Sequence, residues 1–170
     1  SEEVKDMEDI VVSGVTLNKD EAKLTICDVP DKPGIAAKIF KNLSEANINI
    51  DMIIQNISRT RCTDISFTVL KEDLTRTLRI AKKVAREVGA KGVLEDQDIA
   101  KVSIVGVGMK SHSGIAAKMF EALASKNINI EMISTSEIKI SCVIKKRFAE
   151  EAVRAIHDKF ELYKVKPIKE

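Results

Sequence analysis

Apolar and polar positions change period along this chain in one order, and the order occurs twice. Leu24 and Ile26 alternate with polar neighbours, the two-residue period of a half-buried strand. Ile35, Ile39 and Leu43, flanked by Ala36 and Phe40, follow the three-and-four spacing of a helix face. Pro33 suits a first helical position, where its missing N–H costs nothing. Ile48, Ile50, Met52 and Ile54 alternate again, as do Ile65, Phe67 and Val69 after a short polar link. Leu74, Leu78, Ala81, Ala85 and Val88 form a second helical stripe ending at Gly89, and Gly92-Val93-Leu94 reads as a short closing strand. The order is βαββαβ.

The second half repeats it. Residues 34–53 (GIAAKIFKNLSEANINIDMI) match residues 114–133 (GIAAKMFEALASKNINIEMI) at 13 of 20 positions. Upstream, residues 22–29 align with 100–107, after which the second copy carries two extra residues before its helix. Strands are expected over 101–107, 128–133 and 138–144, helices over 114–126 and 147–159, and a weak final strand over 162–165. Internal duplication on this scale fixes the architecture before any residue-level argument. The fold class is α+β: two ferredoxin-like split-βαβ units, each an antiparallel sheet with two helices on one face. The expected division is an N-terminal segment 1–19, a first unit 20–97 and a second unit 98–170. Residues 10–17 (IVVSGVTL) lie outside both copies and read as one further strand that the second unit can borrow. A sheet with helices on one face and apolar edges is expected to associate with another copy.

Composition narrows function mainly by exclusion. Lysine and arginine number 28 against 26 aspartate and glutamate, with no basic stripe, so nothing favours nucleic acid or a membrane surface. No apolar run approaches the roughly 20 residues that span a bilayer, and the N-terminus is acidic where an export signal is basic. Cys27, Cys62 and Cys142 make an odd set without a CxxC pair, as in a reduced, cytoplasmic protein. His112 and His157 are the two histidines, and their spacing from the cysteines fits neither a zinc site nor a Cys/His nucleophile. No catalytic residue, metal site or cofactor is expected.

Residues 106–111 (GVGMKS), with Glu131 about 20 positions on, imitate a dinucleotide fingerprint. Against it stand Ser111 in place of the third glycine, the glycine-free Asp28-Val29-Pro30 of the first copy, and two adjacent strands where a βαβ unit is required. The strand–loop–helix corners, 29–36 (VPDKPGIA) and 108–116 (GMKSHSGIA), carry more. A glycine at the helix start admits a ligand to the backbone, and the first-turn N–H groups attract a carboxylate. Asp31, Ser111 or Ser113 could equally cap those helices. The same choice, ligand contact or ordinary surface and turn chemistry, stands for the tracts 47–51 (NINID) and 127–131 (NINIE), for Gln55 and Ser58, and for the turn 134–137 (STSE).

The phrases DKPGIAAKIF, NINIDMIIQN, GVGMKSHSGIAAKMFEAL and NINIEMISTSEIKIS resemble the paired ACT domains of bacterial aspartate kinases over nearly the whole chain. The resemblance implies a regulatory portion that follows an N-terminal catalytic domain, or a separate small subunit made from an internal start; Met7 falls near such a start. It implies threonine and lysine as effectors, bound where the first ACT unit of one chain meets the second unit of its homodimer partner. By that resemblance one site comprises Asp31, Gly34, Ile35, Ala36 and Gln55, with Asn129 and Ile130 facing them. Its pseudo-equivalent comprises Met109, Ser111, Ser113, Gly114, Ala116, Glu131, Thr135, Ser136 and Glu137, with Asn49 and Ile50 facing. A module that only holds a dimer together and binds nothing small is the competing expectation.

Overall fold

The structure, a computed structural model, describes residues 12–57, 62–106 and 112–164. The chain divides into two compact units: one is Asp20–Ile99, and the other joins Ser1–Lys19 to Ala100–Glu170.

In the unit Asp20–Ile99, strands β2 (Glu21–Pro30), β3 (Ile50–Ile57), β4 (Cys62–Leu70) and β5 (Gly92–Asp96) form an antiparallel sheet in the order β3-β4-β2-β5. Helices α1 (Ile35–Glu45) and α2 (Leu74–Val88) lie in the two crossovers. Alternation places Leu24, Ile26, Ile65, Phe67 and Val69 in one core with Ile39 and Leu43 of α1 and Ala81, Val84 and Ala85 of α2. Phe40 meets Phe67 edge to face at 5.7 Å, the arrangement aromatic quadrupoles favour. α2 stops at Gly89, whose φ of +79° suits a residue without Cβ.

Two local features shape the corner after β2. The β2–β4 register breaks between Ile26 and Val29, with Asp28 at φ +50°. That bulge is pinned by the Asp28 N–H donating to Asp64 Oδ1 at 2.9 Å and by Lys91 Nζ, 3.1 Å from Asp28 Oδ2. Beyond it, Val29 and Pro30 pair with Thr63 and Cys62 at the start of β4. Helix α1 then begins at Ile35 with Gly34 as its cap residue, so Pro33 precedes the cap rather than taking the first helical position. The φ of +91° at Gly34 explains the shift: the chain reverses there in a left-handed conformation that a glycine accepts readily and proline cannot adopt.

In the other unit, β1 (Gly14–Asn18), β6 (Ile99–Val105), β7 (Met132–Thr135) and β8 (Lys139–Lys145) form a sheet in the order β1-β6-β8-β7. Helices α3 (His112–Ser125) and α4 (Ala149–Lys159) accompany it. Val102, Ile104, Met119, Leu123, Ile140, Cys142, Ile144 and Ile156 form its core, with Val15 and Leu17 of β1 packed against them. The final strand expected over 162–165 is not formed in the described part of that range: Leu162–Lys164 is a 3-10 turn, and Val165 lies outside the described residues. β1 takes the slot beside β6, with Gly14 opposite Val105 and Asn18 opposite Lys101, while Glu161 at φ +52° turns the chain away from an extended course. Lys19 at the end of β1 hydrogen-bonds Glu150 in the first turn of α4.

Candidate functional site

The corner between β2 and α1 encloses a cavity of about 220 Å³, below the roughly 300–1,000 Å³ of pockets for drug-sized ligands. Asp31, Gly34, Ile35, Ala36 and Gln55, the corner residues singled out from the sequence, all line it. Each reaches the cavity for a local reason. Gly34 turns the chain so that the α1 N-terminus faces the space, and Ile35 packs against the core and anchors the first turn. Gln55 arrives from β3 opposite Ile65 of β4.

The first turn of α1 carries no side-chain cap. Its ladder begins with the Lys38 N–H donating to Gly34 O at 3.0 Å, which leaves the preceding N–H groups of the turn outside the ladder. Asp31 therefore does not cap this helix. Helix-start donors together with the positive end of the helix dipole favour a carboxylate at this point.

Val29 of the same corner also lines the cavity, as do Thr63 and Ile65, which the sequence had not marked as part of the site. Thr63 is only 2% exposed, and its hydroxyl has no hydrogen-bond partner among the described residues. A signal for it existed: Thr63 continues the alternation of Ile65, Phe67 and Val69, putting a polar residue in an apolar series. Close by, the Cys27 thiol is pushed above its ordinary pKa by burial first and then by the charges of Asp64 and Asp28.

The remaining residues fall elsewhere. Asn129 and Glu131 line a separate cavity of about 620 Å³ with Asn127, Lys145, Arg147 and Phe148, and Ile130 packs against the core of its own unit. Glu131 there pairs with Lys145 at 3.6 Å. Asn49 and Ile50 line a comparable hollow of about 390 Å³ in the unit Asp20–Ile99. Ser113, Gly114 and Ala116 stand in the first turns of α3, and Thr135 ends β7. Ser136 closes a turn, its N–H donating to Lys139 O at 2.8 Å, with the exposed Glu137 in that turn. Met109 and Ser111 lie outside the described residues, as does all of the glycine tract 106–111 beyond Gly106. Among the described residues no group of three or more His, Cys, Asp or Glu could hold a metal, and no helix is long and apolar enough to cross a membrane.

Known proteins share this fold. The ACT-domain family model matches residues 28–84 and 102–160. An aspartate kinase of Stutzerimonas stutzeri is 53% identical over 161 residues, covering 95% of this chain but 39% of that protein, so the chain spans well under half the length of such relatives. Among solved structures, aspartokinase alpha and beta subunits align at 46% identity and TM-score 0.83, covering 89% of this chain and 99% of theirs. The ligand-free regulatory subunit of aspartate kinase from Thermus thermophilus aligns at 45% identity and TM-score 0.83, covering 88% of this chain and 99% of that one.

Proposed function

The chain belongs to the ACT-domain family, as the regulatory portion of aspartate kinases, and from that premise we propose that it is an allosteric amino-acid sensor. It binds threonine, lysine or both where ACT units of two copies meet, and so lowers the activity of an aspartate kinase catalytic domain in the cytoplasm. The observation that carries this reading is the uncapped first turn of α1 opening on a cavity of about 220 Å³.

The ligand carboxylate meets the helix-start N–H groups, and Asp31 and Gln55 read the rest of the molecule. Asn129 and Ile130 come from the second unit of the partner copy. The pseudo-equivalent site uses Met109, Ser111, Ser113, Gly114, Ala116, Glu131, Thr135, Ser136 and Glu137, with Asn49 and Ile50 facing them. The edge strands β3 and β7 support association through the sheets, since they expose Ile53, Ile57 and Ile133. A ligand held between two units biases their arrangement by its differential affinity, typically about 1–3 kcal/mol.

Thermal unfolding with each of the twenty amino acids tests the proposal. Threonine or lysine at about 100 times its dissociation constant adds roughly 2.7 kcal/mol of stability. Asp31→Ala or Gln55→Ala weakens binding in calorimetry without loss of fold. A panel in which no amino acid raises the midpoint leaves only the dimer-holding role and refutes the sensor.

A further inference from the structure

The geometry points to Thr63 as the residue that selects a hydroxyl-bearing amino acid at the first corner, its hydroxyl pairing with the hydroxyl of the ligand's side chain. This rests on the corner being an effector site and adds the group that reads the ligand.

Three observations lead there. Thr63 is 98% buried, lines the same cavity as Gly34 and Gln55, and has no hydrogen-bond partner among the described residues. Buried polar groups are almost always paired, so an unpaired hydroxyl in the wall of a cavity marks where a ligand atom completes the bond. The helix-start donors near Gly34 take the carboxylate, which directs the side chain toward the strands. Asp31 is the one carboxylate of the lining and is matched by the α-ammonium that every amino acid carries; Val29, Ile65 and Thr63 supply apolar surface and one hydroxyl, so a second, side-chain ammonium directed there would lack a counter-charge. That favours a short neutral polar side chain over a cationic one.

The third observation is the second copy. Gln55 lies opposite Ile65, and its counterpart Thr135 lies opposite Ile140. Two residues earlier on each partner segment stand Thr63 and Ile138. The second copy thus carries an isoleucine, 55% exposed, where the first carries a buried hydroxyl. The repeated GIAAK sequence starts at the cap of α1 in the first copy but lies inside α3, which begins at His112, in the second, and the group beside it also differs, so hydroxyl selection belongs to the first corner alone.

The test is a cycle between protein and ligand on the full 170-residue chain. Calorimetry measures L-threonine and L-2-aminobutyrate, which lacks the hydroxyl, on the wild type, Thr63→Val and Thr63→Ser. The wild type is expected to prefer threonine by about tenfold or more, Thr63→Ser to keep most of that preference, and Thr63→Val to bring it close to unity. Removing both hydroxyls leaves no unmatched partner, so Thr63→Val with 2-aminobutyrate regains much of the lost affinity. The unliganded Thr63→Val protein should unfold no earlier than wild type, because no internal hydrogen bond is lost; a lowered midpoint would show a structural hydroxyl and overturn the assignment. Equal discrimination by wild type and Thr63→Val, with Gln55→Ala still weakening threonine, sinks the role of Thr63 alone. Threonine affinity untouched by Asp31→Ala and Gln55→Ala, or no threonine binding at all, removes the corner as an effector site and Thr63 with it.

Discussion

Replacing Gly34 with alanine isolates the backbone conformation on which the corner depends. Gly34 has φ +91° and ψ −9°, and a Cβ built there meets nothing within 4 Å, so the substitution creates no clash and its cost is conformational. An L-residue in a left-handed conformation is disfavoured by roughly 1–2 kcal/mol. The smaller conformational freedom of alanine in the unfolded chain returns about 0.4–1 kcal/mol. The net loss expected is about 1 kcal/mol, or about 4–8 °C in the midpoint of a unit this size. Gly92→Ala is the matched control: a Cβ there also meets nothing within 4 Å, but Gly92 is not among the positive-φ residues, so its change should fall within about 0.5 kcal/mol of zero or be slightly stabilising. Urea unfolding followed by circular dichroism gives both values as midpoint shifts at unchanged slope. Equal midpoints for the two variants would refute the claim that positive φ, rather than loss of a glycine as such, sets the cost.

Three further outcomes follow from the packing and the charges. Phe67→Ala removes a fully buried ring and its edge contact with Phe40, so the unit Asp20–Ile99 should lose about 3–5 kcal/mol, seen as an early urea transition. The Cys142 thiol is pushed up to about 12 by burial, so it resists iodoacetamide at about pH 8 until the protein unfolds. Its folded pKa lies above the unfolded value near 9, so this contribution is complete below about pH 9 and fades between there and about 12; midpoints at about pH 8 and 10.5 on the wild type and Cys142→Ala expose the difference. The hydrogen bond from Lys19 holds the exposed Glu150 carboxyl below its ordinary range, so its small contribution is present above that range and lost as pH falls through the lowered value. NMR titration should find Glu150 below the ordinary glutamate value and Lys19→Met should return it.

Much of the fold was legible because period carries direction. Ile35, Ile39 and Leu43 could cover a sheet only as a helix, and Ile65, Phe67 and Val69 could face that helix only as a strand. The duplication then doubled every inference. What failed was competition for one place. Residues 162–164 have apolar character suited to an edge strand, but the position beside β6 takes one strand, and β1 brings Val15 and Leu17 to it in register. Sequence shows both candidates and cannot rank them, because the ranking depends on where two distant segments meet. The bulge at Asp28 escaped notice for a related reason: Asp64 and Lys91, which hold it, are distant in sequence and adjacent only after β2 pairs on both edges. Thr63 was visible as a break in an apolar series, yet its importance depends on the cavity, which exists only once Val29 and Gly34 have folded over the start of β4.

On the sensor reading proposed above, duplication yields unlike sites from a shared chemistry. Every free amino acid presents the same carboxylate and ammonium, so donors at a helix start bind them all alike and cannot choose among them. Choice has to come from groups that meet the side chain and are left unsatisfied by the wrong one. In the first copy a bulged ten-residue β2 and a buried Thr63 stand beside the helix start. In the second a seven-residue β6 flanked by β1 precedes α3, and Ile138 takes the place of Thr63. GIAAK is kept in both copies, although it starts at the cap of α1 and lies inside α3, while the strand residues beside it diverge. Exchanging Thr63 and Ile138 should therefore alter which amino acid each corner accepts far more than any change within the shared helix-start sequence. A swap that left the amino-acid preference untouched while Gly34→Ala changed it would place selectivity in the helix start after all.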